Sequence, residues 1–232
     1  MNADEVILLA GGLGTRLRAE VPDVPKPLAP VAERPFLLWL LDAYAAAGMR
    51  RVILAIGYRG EQIASLVGEA WCGMTVAYSR EETPLGTGGA VVQAAALVQG
   101  EGVHLANADT YLRYSPSALE LATRRQDALL GVALASVPDV GRYGAVDVAA
   151  DRVVGFREKG GHGDGLINAG SYFLTREGMA ALPRERAYSF EEQVLLPWSR
   201  AGRLAAFTAT SAFIDIGVPE DYRRALTVLA AP

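Results

Sequence analysis

Cysteine and histidine are both scarce in this chain of 232 residues. The single cysteine, Cys72, excludes an internal disulfide and any zinc site built from several cysteines. Only His104 and His162 could add imidazole ligands to a metal site. We therefore expect no structural zinc.

Basic charge and long apolar runs are missing as well. The formal net charge of −4 argues against a nucleic-acid partner, although it is compatible with a small basic pocket. No apolar run approaches the roughly 20 residues that a membrane-spanning helix needs. The first residues, MNADEVILLAGG, lack the basic start and the long apolar stretch of a signal peptide. We expect a cytoplasmic protein that binds neither membrane nor nucleic acid.

The first half of the chain alternates short apolar runs with amphipathic stretches. Such strand–helix alternation predicts parallel strands with helices on both faces of a sheet. The predicted strands are residues 5–10, 51–56, 74–78 and 102–106, and the predicted helices are residues 35–48, 86–98 and 115–126.

The alternation of strands and helices ends after residue 127. Short predicted strands then follow one another, which predicts a small antiparallel region. Ser189 and Glu192 form a capping-box pattern that predicts a helix start. We expect an α/β fold with a Rossmann-like, mixed but mostly parallel central sheet, made as one domain from residues 1–127 and 128–232. The predicted strands of the second half are residues 128–137, two strands around the turn 149–151, residues 166–175, and the stretches GRLAAFTAT and AFIDIG, with a closing helix in PEDYRRALTVLA.

The first predicted strand runs into the glycine-rich stretch LLAGGLGTRL, residues 8–17. Bare backbone N–H groups beside two cations, Arg16 and Lys26, suit a polyphosphate. The stretch does not match a Walker A motif, because Gly14-Thr15-Arg16 stands where that motif has Gly-Lys-Ser/Thr. It does not match the dinucleotide-binding motif either, because Leu17 occupies the position of the third glycine. On spacing alone, a phosphate-binding loop and an ordinary glycine turn with two surface cations both stay open.

The combination of this loop with later motifs resembles one family. LAGGLGTRL with PKPLAPV, followed in order by PLGTGGA, NADT, FREK, INAG and FIDIGVPEDY, looks like the signature of the sugar-1-phosphate nucleotidyltransferases over nearly the whole chain. Within the family, PDVPKPLAPVAERPFL, GRYGAVD and SFEEQVLLP look most like the bacterial D-glycero-α-D-manno-heptose 1-phosphate guanylyltransferases.

The resemblance implies a nucleotide-diphospho-sugar transferase fold, with a nucleotide-binding half at residues 1–127 and a sugar-phosphate-binding half at residues 128–232. It implies transfer of a nucleoside monophosphate from GTP to the heptose 1-phosphate, with release of pyrophosphate, in nucleotide-sugar biosynthesis for a cell-envelope polysaccharide. The attacking phosphate oxygen is already anionic, so the protein must mainly position the reactants and neutralise charge.

The resemblance also implies roles for individual residues. Asp109 and Asp215 would hold Mg²⁺, and in isolation they could equally be a turn or cap aspartate and a solvent-facing strand end. The implied catalytic residues are Arg16, Lys26, Asp109, Lys159 and Asp215. The implied nucleotide-binding residues are Leu9, Ala10, Gly11, Gly12, Gly14, Thr15, Arg16, Lys26, Gly86, Thr87 and Gly88. The implied substrate-binding residues are Asp109, Gly144, Glu158, Lys159 and Asn168.

Several alternatives stay open at this point. The same chemistry could use UTP with N-acetylmuramic acid 1-phosphate or another hexose 1-phosphate, or GTP with mannose 1-phosphate, because no residue pattern distinguishes guanine from uracil. A catalytically silent relative would be expected to lack one of the cations or carboxylates, and all are present. Ala108 stands where the family commonly has glycine and would be strained if its φ were positive. A monomer and a homodimer are both compatible with the sequence.

Overall fold

The computed structural model describes residues 3–12, 21, 24–217 and 219–229. Its strands are β1 (Glu5–Leu9), β2 (Pro30–Val31), β3 (Arg34–Pro35), β4 (Arg51–Ile56), β5 (Ala70–Trp71), β6 (Met74–Arg80), β7 (Gly102–Asn107), β8 (Thr110–Leu112), β9 (Leu130–Val137), β10 (Val146–Ala149), β11 (Arg152–Phe156), β12 (Gly165–Thr175), β13 (Leu204–Phe207) and β14 (Phe213–Asp215).

The helices connect these strands and cover the sheet. They are α1 (Phe36–Ala46), α2 (Gly60–Val67), α3 (Gly86–Ala95), α4 (Pro116–Arg125), α5 (Arg176–Ala181), α6 (Leu196–Arg200) and α7 (Pro219–Leu229), with a short 3₁₀ turn at Lys26–Leu28 and a π turn at Glu191–Leu195. None of the helices in these described ranges is long and apolar enough to cross a membrane.

Ten strands form one mixed sheet in the order β10-β11-β13-β9-β12-β7-β1-β4-β6-β5. The run β7-β1-β4-β6 is parallel, and β12 is antiparallel to both β7 and β9. The predicted α/β class with a Rossmann-like central sheet is confirmed. The strand β12 joins the two halves of the chain, because it lies between a strand of the first half and a strand of the second.

The central strands form because their apolar runs are long enough to be buried on both faces. In β1 the side chains of Val6, Ile7 and Leu8 are completely buried, and they alternate between two core clusters. Val6 and Leu8 pack with α1, while Ile7 packs with α3 on the opposite face. A continuous apolar run of this kind is typical of a parallel strand with helices on both sides.

Two local predictions of turn chemistry are confirmed in the second half. The β10–β11 hairpin turns through Ala150 and Asp151, whose φ angles of 48° and 60° suit the twist of a tight hairpin. The Ser189 side chain accepts a hydrogen bond from the backbone N–H of Glu192 at 3.3 Å, as a helix cap does.

The helix that follows Ser189 is less regular than its sequence predicts. A π turn occupies Glu191–Leu195 before α6 begins. Pro197 lies in the first turn of α6 and has no backbone N–H. It therefore cannot donate an i→i−4 hydrogen bond to Gln193 in the π turn. Local π geometry of this kind accommodates a break in the ordinary helical ladder.

His104 is the most unusual side chain in the core. It is fully buried in β7, and neither ring nitrogen has a hydrogen-bond partner among the described residues. Its ring centroid lies 5.1 Å from that of Phe173. Burial, with a smaller contribution from the charge of Arg124, lowers the pKa of His104 to about 3.

This buried histidine makes a testable contribution to acid sensitivity. Because its folded pKa lies below its ordinary value of 6.5, the unfolded chain binds the proton first, and stability falls as pH drops from about 6.5 toward 3. The slope from one such proton is at most about 1.4 kcal/mol per pH unit. We expect His104→Leu to flatten this part of the profile, measured by urea unfolding between pH 7 and pH 4.5. The exposed His162→Leu is the control, and an unchanged slope in His104→Leu would contradict the assignment.

Candidate active site

The loops that follow the parallel strands surround a cavity of about 570 Å³. Gly11 and Gly12 follow β1, Gly57 follows β4, Glu81 follows β6 and Asp109 follows β7. Ligands in open α/β sheets bind at these carboxyl ends of strands. The further lining residues are Leu9, Ala55, Tyr58, Glu82, Thr83, Pro84, Gly86, Thr87, Ala90 and Asn107.

The glycine-rich loop is described only at its start. Gly14, Thr15 and Arg16 lie outside the described residues, so their predicted roles stay predictions. At Gly11, an added Cβ would lie 2.5 Å from Oε1 of Glu81 and 3.3 Å from the backbone nitrogen of Gly57. A larger residue at this position would have to displace the Glu81 carboxylate and would press against the backbone of Gly57.

Not every residue of that loop faces the cavity. Leu9, Gly11 and Gly12 line it, whereas Ala10 is buried and its backbone N–H donates to the carbonyl of Ala55 at 2.8 Å. Ala10 therefore extends the β1–β4 pairing, and its predicted contact with a nucleotide stays a prediction.

Lys26 brings together the two predicted metal ligands. The 3₁₀ turn that carries it is fixed by Pro25 and Pro27. Its ammonium Nζ forms an ion pair with Asp109 and lies 3.7 Å from Oδ1 of Asp215. Three residues that are far apart in the sequence therefore meet at one point.

Strand pairing explains how the two carboxylates become neighbours. In the β8–β14 ribbon, Thr110 pairs with Asp215, and the N–H of Ile216 donates to the carbonyl of Asp109 at 3.0 Å. The hydroxyl of Thr110 donates to Asp109 Oδ1 at 3.1 Å, and the N–H of Gly217 donates to Asp215 Oδ1 at 2.7 Å. Each carboxylate is thus oriented by one neutral donor.

The carboxylate pair could hold a Mg²⁺ ion if water and phosphate oxygens supplied the remaining ligands. Both side chains are about one-third exposed, at 32% and 31%, so their outer oxygens can reach an ion. Two carboxylates against one ammonium leave excess negative charge. No group of three or more acidic, histidine or cysteine side chains that could hold a metal occurs in the described ranges. The remaining ligands would be water and phosphate oxygens, as Mg²⁺ prefers.

A second cavity of about 210 Å³ adjoins the first. Leu9, Thr87 and Asn107 line both cavities and mark the junction. Among the predicted residues, Asp215, Lys159 and Asn168 line the second one. The other lining residues are Thr110, Tyr143, Ala169, Gly170, Tyr172, Phe190, Glu191, Leu195 and Phe213.

Three predicted substrate residues do not line this cavity, and one of them, Asp109, lines the first cavity instead. Glu158 is exposed beside Lys159, and neither it nor Gly144 belongs to the lining. Gly144 has a φ of 84°, and an added Cβ would collide with the carbonyl of Arg157. Its glycine is therefore explained by the fold of the loop, and its predicted contact with sugar stays a prediction.

A bulge in β12 positions Asn168. The pairing of β12 with β9 shifts between Asn168 and Ser171, and Gly170 adopts a φ of 65° against the side chain of Asn107. Bulges commonly re-aim side chains next to active sites. Asn168 Nδ2 donates to the hydroxyl of Tyr172 at 2.8 Å.

The glycines at the start of α3 serve internal packing. A Cβ added at Gly86 would lie 2.5 Å from the carbonyl oxygen of Tyr188. One added at Gly89 would lie 2.5 Å from the carbonyl oxygen of Arg186, and one added at Gly88 would overlap the Tyr188 ring. Of the predicted nucleotide-binding residues on this helix, Gly86 and Thr87 line the first cavity, whereas Gly88 is buried beneath Tyr188.

Thr87 links this helix to the second cavity. Its hydroxyl accepts a hydrogen bond from the backbone N–H of Phe190 at 2.9 Å, and the N–H of Gly88 donates to the carbonyl of Tyr188 at 2.9 Å. Residues 188–190 lead directly into the π turn that lines the second cavity. The first turn of α3 and the wall of the second cavity therefore form one hydrogen-bonded unit.

Sequence reasoning missed the acidic and aromatic side chains of both cavities. Glu81, Tyr143, Tyr172 and Glu191 were not predicted as site residues, and the signal that could have found Glu81 is its place at the end of a buried strand. Burial raises the pKa of Tyr143 and, more strongly, that of Tyr172, so both hydroxyls stay protonated.

Ala108 has no positive φ and is unstrained.

Comparison with known proteins identifies the class. The Nucleotidyl transferase family model matches residues 5–231. The chain belongs to this family, and it is a nucleotidyltransferase.

Two relatives and one solved structure are similar to this chain over nearly its whole length. The D-glycero-alpha-D-manno-heptose 1-phosphate guanylyltransferase of Aneurinibacillus thermoaerophilus is 36% identical over 221 residues, covering 95% of this chain and 96% of the relative. The protein of the same name from Campylobacter jejuni is 37% identical over 219 residues, covering 94% and 96%. The crystal structure of HddC from Yersinia pseudotuberculosis complexed with GMP-PN is 34% identical, with a TM-score of 0.83 and coverage of 98% and 99%.

The packing of the α3 glycines can be tested with a rescue experiment. We expect Gly88→Ala to lower the melting temperature and the activity, because its methyl group would overlap the Tyr188 ring. Adding Tyr188→Ala to Gly88→Ala should recover part of the activity by removing the obstruction. Both should be compared with Tyr188→Ala alone. A loss of GTP affinity in Gly88→Ala that the second substitution leaves unchanged would instead mean that a nucleotide needs this glycine.

Proposed function

We propose that this protein transfers GMP from GTP to D-glycero-α-D-manno-heptose 1-phosphate, forming the GDP-heptose and pyrophosphate in the cytoplasm. The observation that carries the proposal is the cluster of Lys26, Asp109 and Asp215, in which Asp109 lines the first cavity, Asp215 lines the second and Lys26 contacts the one and approaches the other. The first cavity would hold the triphosphate and the second the sugar phosphate. The heptose specificity rests on the relatives described above.

The reaction needs charge neutralisation more than proton transfer. An oxygen of the sugar phosphate attacks the α-phosphorus, a P–O bond forms, and the bond to pyrophosphate breaks. The nucleophile carries its negative charge from the start, so no general base is required. Lys26 is paired with Asp109, Lys159 lines the second cavity, and Arg16 would add a third cation from the glycine-rich loop.

Asp109 and Asp215 would hold Mg²⁺ together with phosphate oxygens. Bound there, the ion would supply a positive charge that offsets the negative charge developing on the α-phosphate and the departing pyrophosphate. The two aspartates would fix its place relative to Lys26, which already contacts one carboxylate and approaches the other.

Acidic groups in the first cavity favour guanine. Glu81 and Glu82 both line it, and the backbone N–H of Leu85 donates to Oε2 of Glu81 at 3.0 Å. Guanine presents two adjacent donors, its N1–H and its N2 amino group, which one carboxylate can accept together. Uracil presents a single N–H between two carbonyl oxygens, and those oxygens would meet a carboxylate unfavourably.

The proposal is tested by measuring pyrophosphate release with Mg²⁺ and purified protein. Each nucleoside triphosphate should be combined with heptose 1-phosphate, mannose 1-phosphate, glucose 1-phosphate and N-acetylmuramic acid 1-phosphate. We expect the highest kcat/KM for GTP with the heptose. Release only with UTP would overturn the base assignment, and a preference for mannose 1-phosphate would overturn the sugar assignment.

The contribution of Glu81 can be measured in the same assay. Glu81→Gln keeps an acceptor for the Leu85 N–H but replaces a second acceptor by a donor. We expect kcat/KM for GTP to fall roughly 10- to 100-fold, as loss of a hydrogen bond to a charged group predicts. Glu61→Gln, which removes an exposed carboxylate paired with Arg80, is the control. Equal losses for GTP and UTP in Glu81→Gln would contradict base reading by Glu81.

The metal role of Asp109 is open to a direct test. We expect Asp109→Ala to abolish turnover while the fold persists, and EDTA to abolish the turnover of the unaltered protein until Mg²⁺ is restored. Binding of Mn²⁺ in the presence of GTP, followed by electron paramagnetic resonance, should weaken in Asp109→Ala. Near-normal turnover or undiminished Mn²⁺ binding in this variant would count against the assignment.

A further inference from the structure

The second cavity has two walls of different character. On one wall, Tyr143 packs edge-on against Phe213 with ring centroids 5.5 Å apart, and Phe213 lies two residues before Asp215 in β14. On the other wall, Tyr172 packs edge-on against Phe190 with centroids 5.6 Å apart. The first wall includes Asp215 of the Lys26–carboxylate cluster, so under the proposed function the phosphate of a bound sugar phosphate would lie there.

Glu191 supplies the charge of the second wall. It lines the cavity at the first residue of the π turn, and Asp215 is the other carboxylate among the described lining residues. Glu191 and Tyr172 line the same cavity, and burial, with a smaller contribution from the Glu191 charge, raises the pKa of Tyr172. The Tyr172 hydroxyl already accepts a hydrogen bond from Asn168 Nδ2 at 2.8 Å.

The backbone around Glu191 is fixed before any ligand arrives. The N–H of Phe190, immediately before it, donates to the Thr87 hydroxyl at 2.9 Å, and the N–H of Glu192, immediately after it, donates to the Ser189 hydroxyl at 3.3 Å. A carboxylate on a fixed backbone loses less conformational freedom when it binds a hydroxyl group.

We propose that Glu191 is the residue that recognises the exocyclic C6–C7 diol of the heptose and so distinguishes it from a hexose. This inference rests on the proposed function. In an α-pyranose of the D series, the phosphate on C1 and the chain on C5 lie on opposite faces of the ring. A phosphate at the Asp215 wall therefore directs the chain away from Asp215, and we assign the Tyr172–Glu191 wall, which carries the other lining carboxylate, to receive it.

The chemistry of the diol matches a carboxylate. Two vicinal hydroxyls can donate to the two oxygens of one carboxylate, whereas the single C6 hydroxyl of mannose can satisfy only one of them. A polar site built for a substrate hydroxyl discriminates against an analogue that lacks it, because its own polar group is left unpaired.

The test compares two variants on two substrates. Glu191→Gln keeps the shape of the side chain and removes its charge, and Glu192→Gln changes the adjacent exposed carboxylate, which does not line the cavity. We measure kcat/KM with GTP and Mg²⁺ for heptose 1-phosphate and for mannose 1-phosphate. We expect the heptose-to-mannose ratio to fall at least tenfold in Glu191→Gln and to stay at the unaltered value in Glu192→Gln, with equal melting temperatures.

The outcomes separate this inference from the function on which it rests. If the unaltered protein prefers the heptose and Glu191→Gln leaves that preference in place, the role of Glu191 is wrong while the function holds. An equal loss with both sugars has the same meaning, because Glu191 would then act on a feature that the sugars share. If the unaltered protein uses neither sugar, the proposed function fails, and the assignment of Glu191 fails with it.

Discussion

The site depends on one electrostatic arrangement: the ammonium of Lys26 between the carboxylates of Asp109 and Asp215. Two carboxylates this close repel each other, and the cation offsets that repulsion in the ligand-free fold. Each partner comes from a different part of the chain, namely the proline-flanked 3₁₀ turn, the end of β7 and the end of β14. The parallel sheet, the β8–β14 ribbon and the proline restraints together bring these three charges to one point.

Much of the fold could be predicted because its signals are local. β1 and β4 are buried on both faces and read as continuous apolar runs, and the Ala150–Asp151 turn sits between two alternating segments. The long-range pairing could not be read in the same way. Nothing in the three residues of β8 indicates that they pair with β14, because both are too short to show a period.

The candidate site was predictable where a motif names the residue. Lys26, Asp109 and Asp215 were drawn from the family signature, and the structure brings them together. Gly86 and Gly88 at the start of α3 were predicted to contact a nucleotide. In the structure, Gly88 and Gly89 lie directly against Tyr188 and Arg186, where a side chain would not fit. Sequence alone cannot separate these causes, because a glycine looks the same whether a ligand or another part of the chain approaches it. Tyr172 and Glu191 were missed because they enter the cavity only after a bulge and a π turn have set their direction.

The β8–β14 ribbon also determines when the two carboxylates can become neighbours during synthesis of the chain. A chain emerging from the ribosome can form β1, β4 and β7 early, and with them much of the first cavity. The partner of β8 arrives only when the final strand has been synthesised, and closing so long a loop is entropically costly until the intervening sheet is in place. A nascent chain therefore carries one acidic residue of the pair without the other. The cluster of Lys26, Asp109 and Asp215 can therefore be completed only after residue 215 has been synthesised, close to the end of the chain.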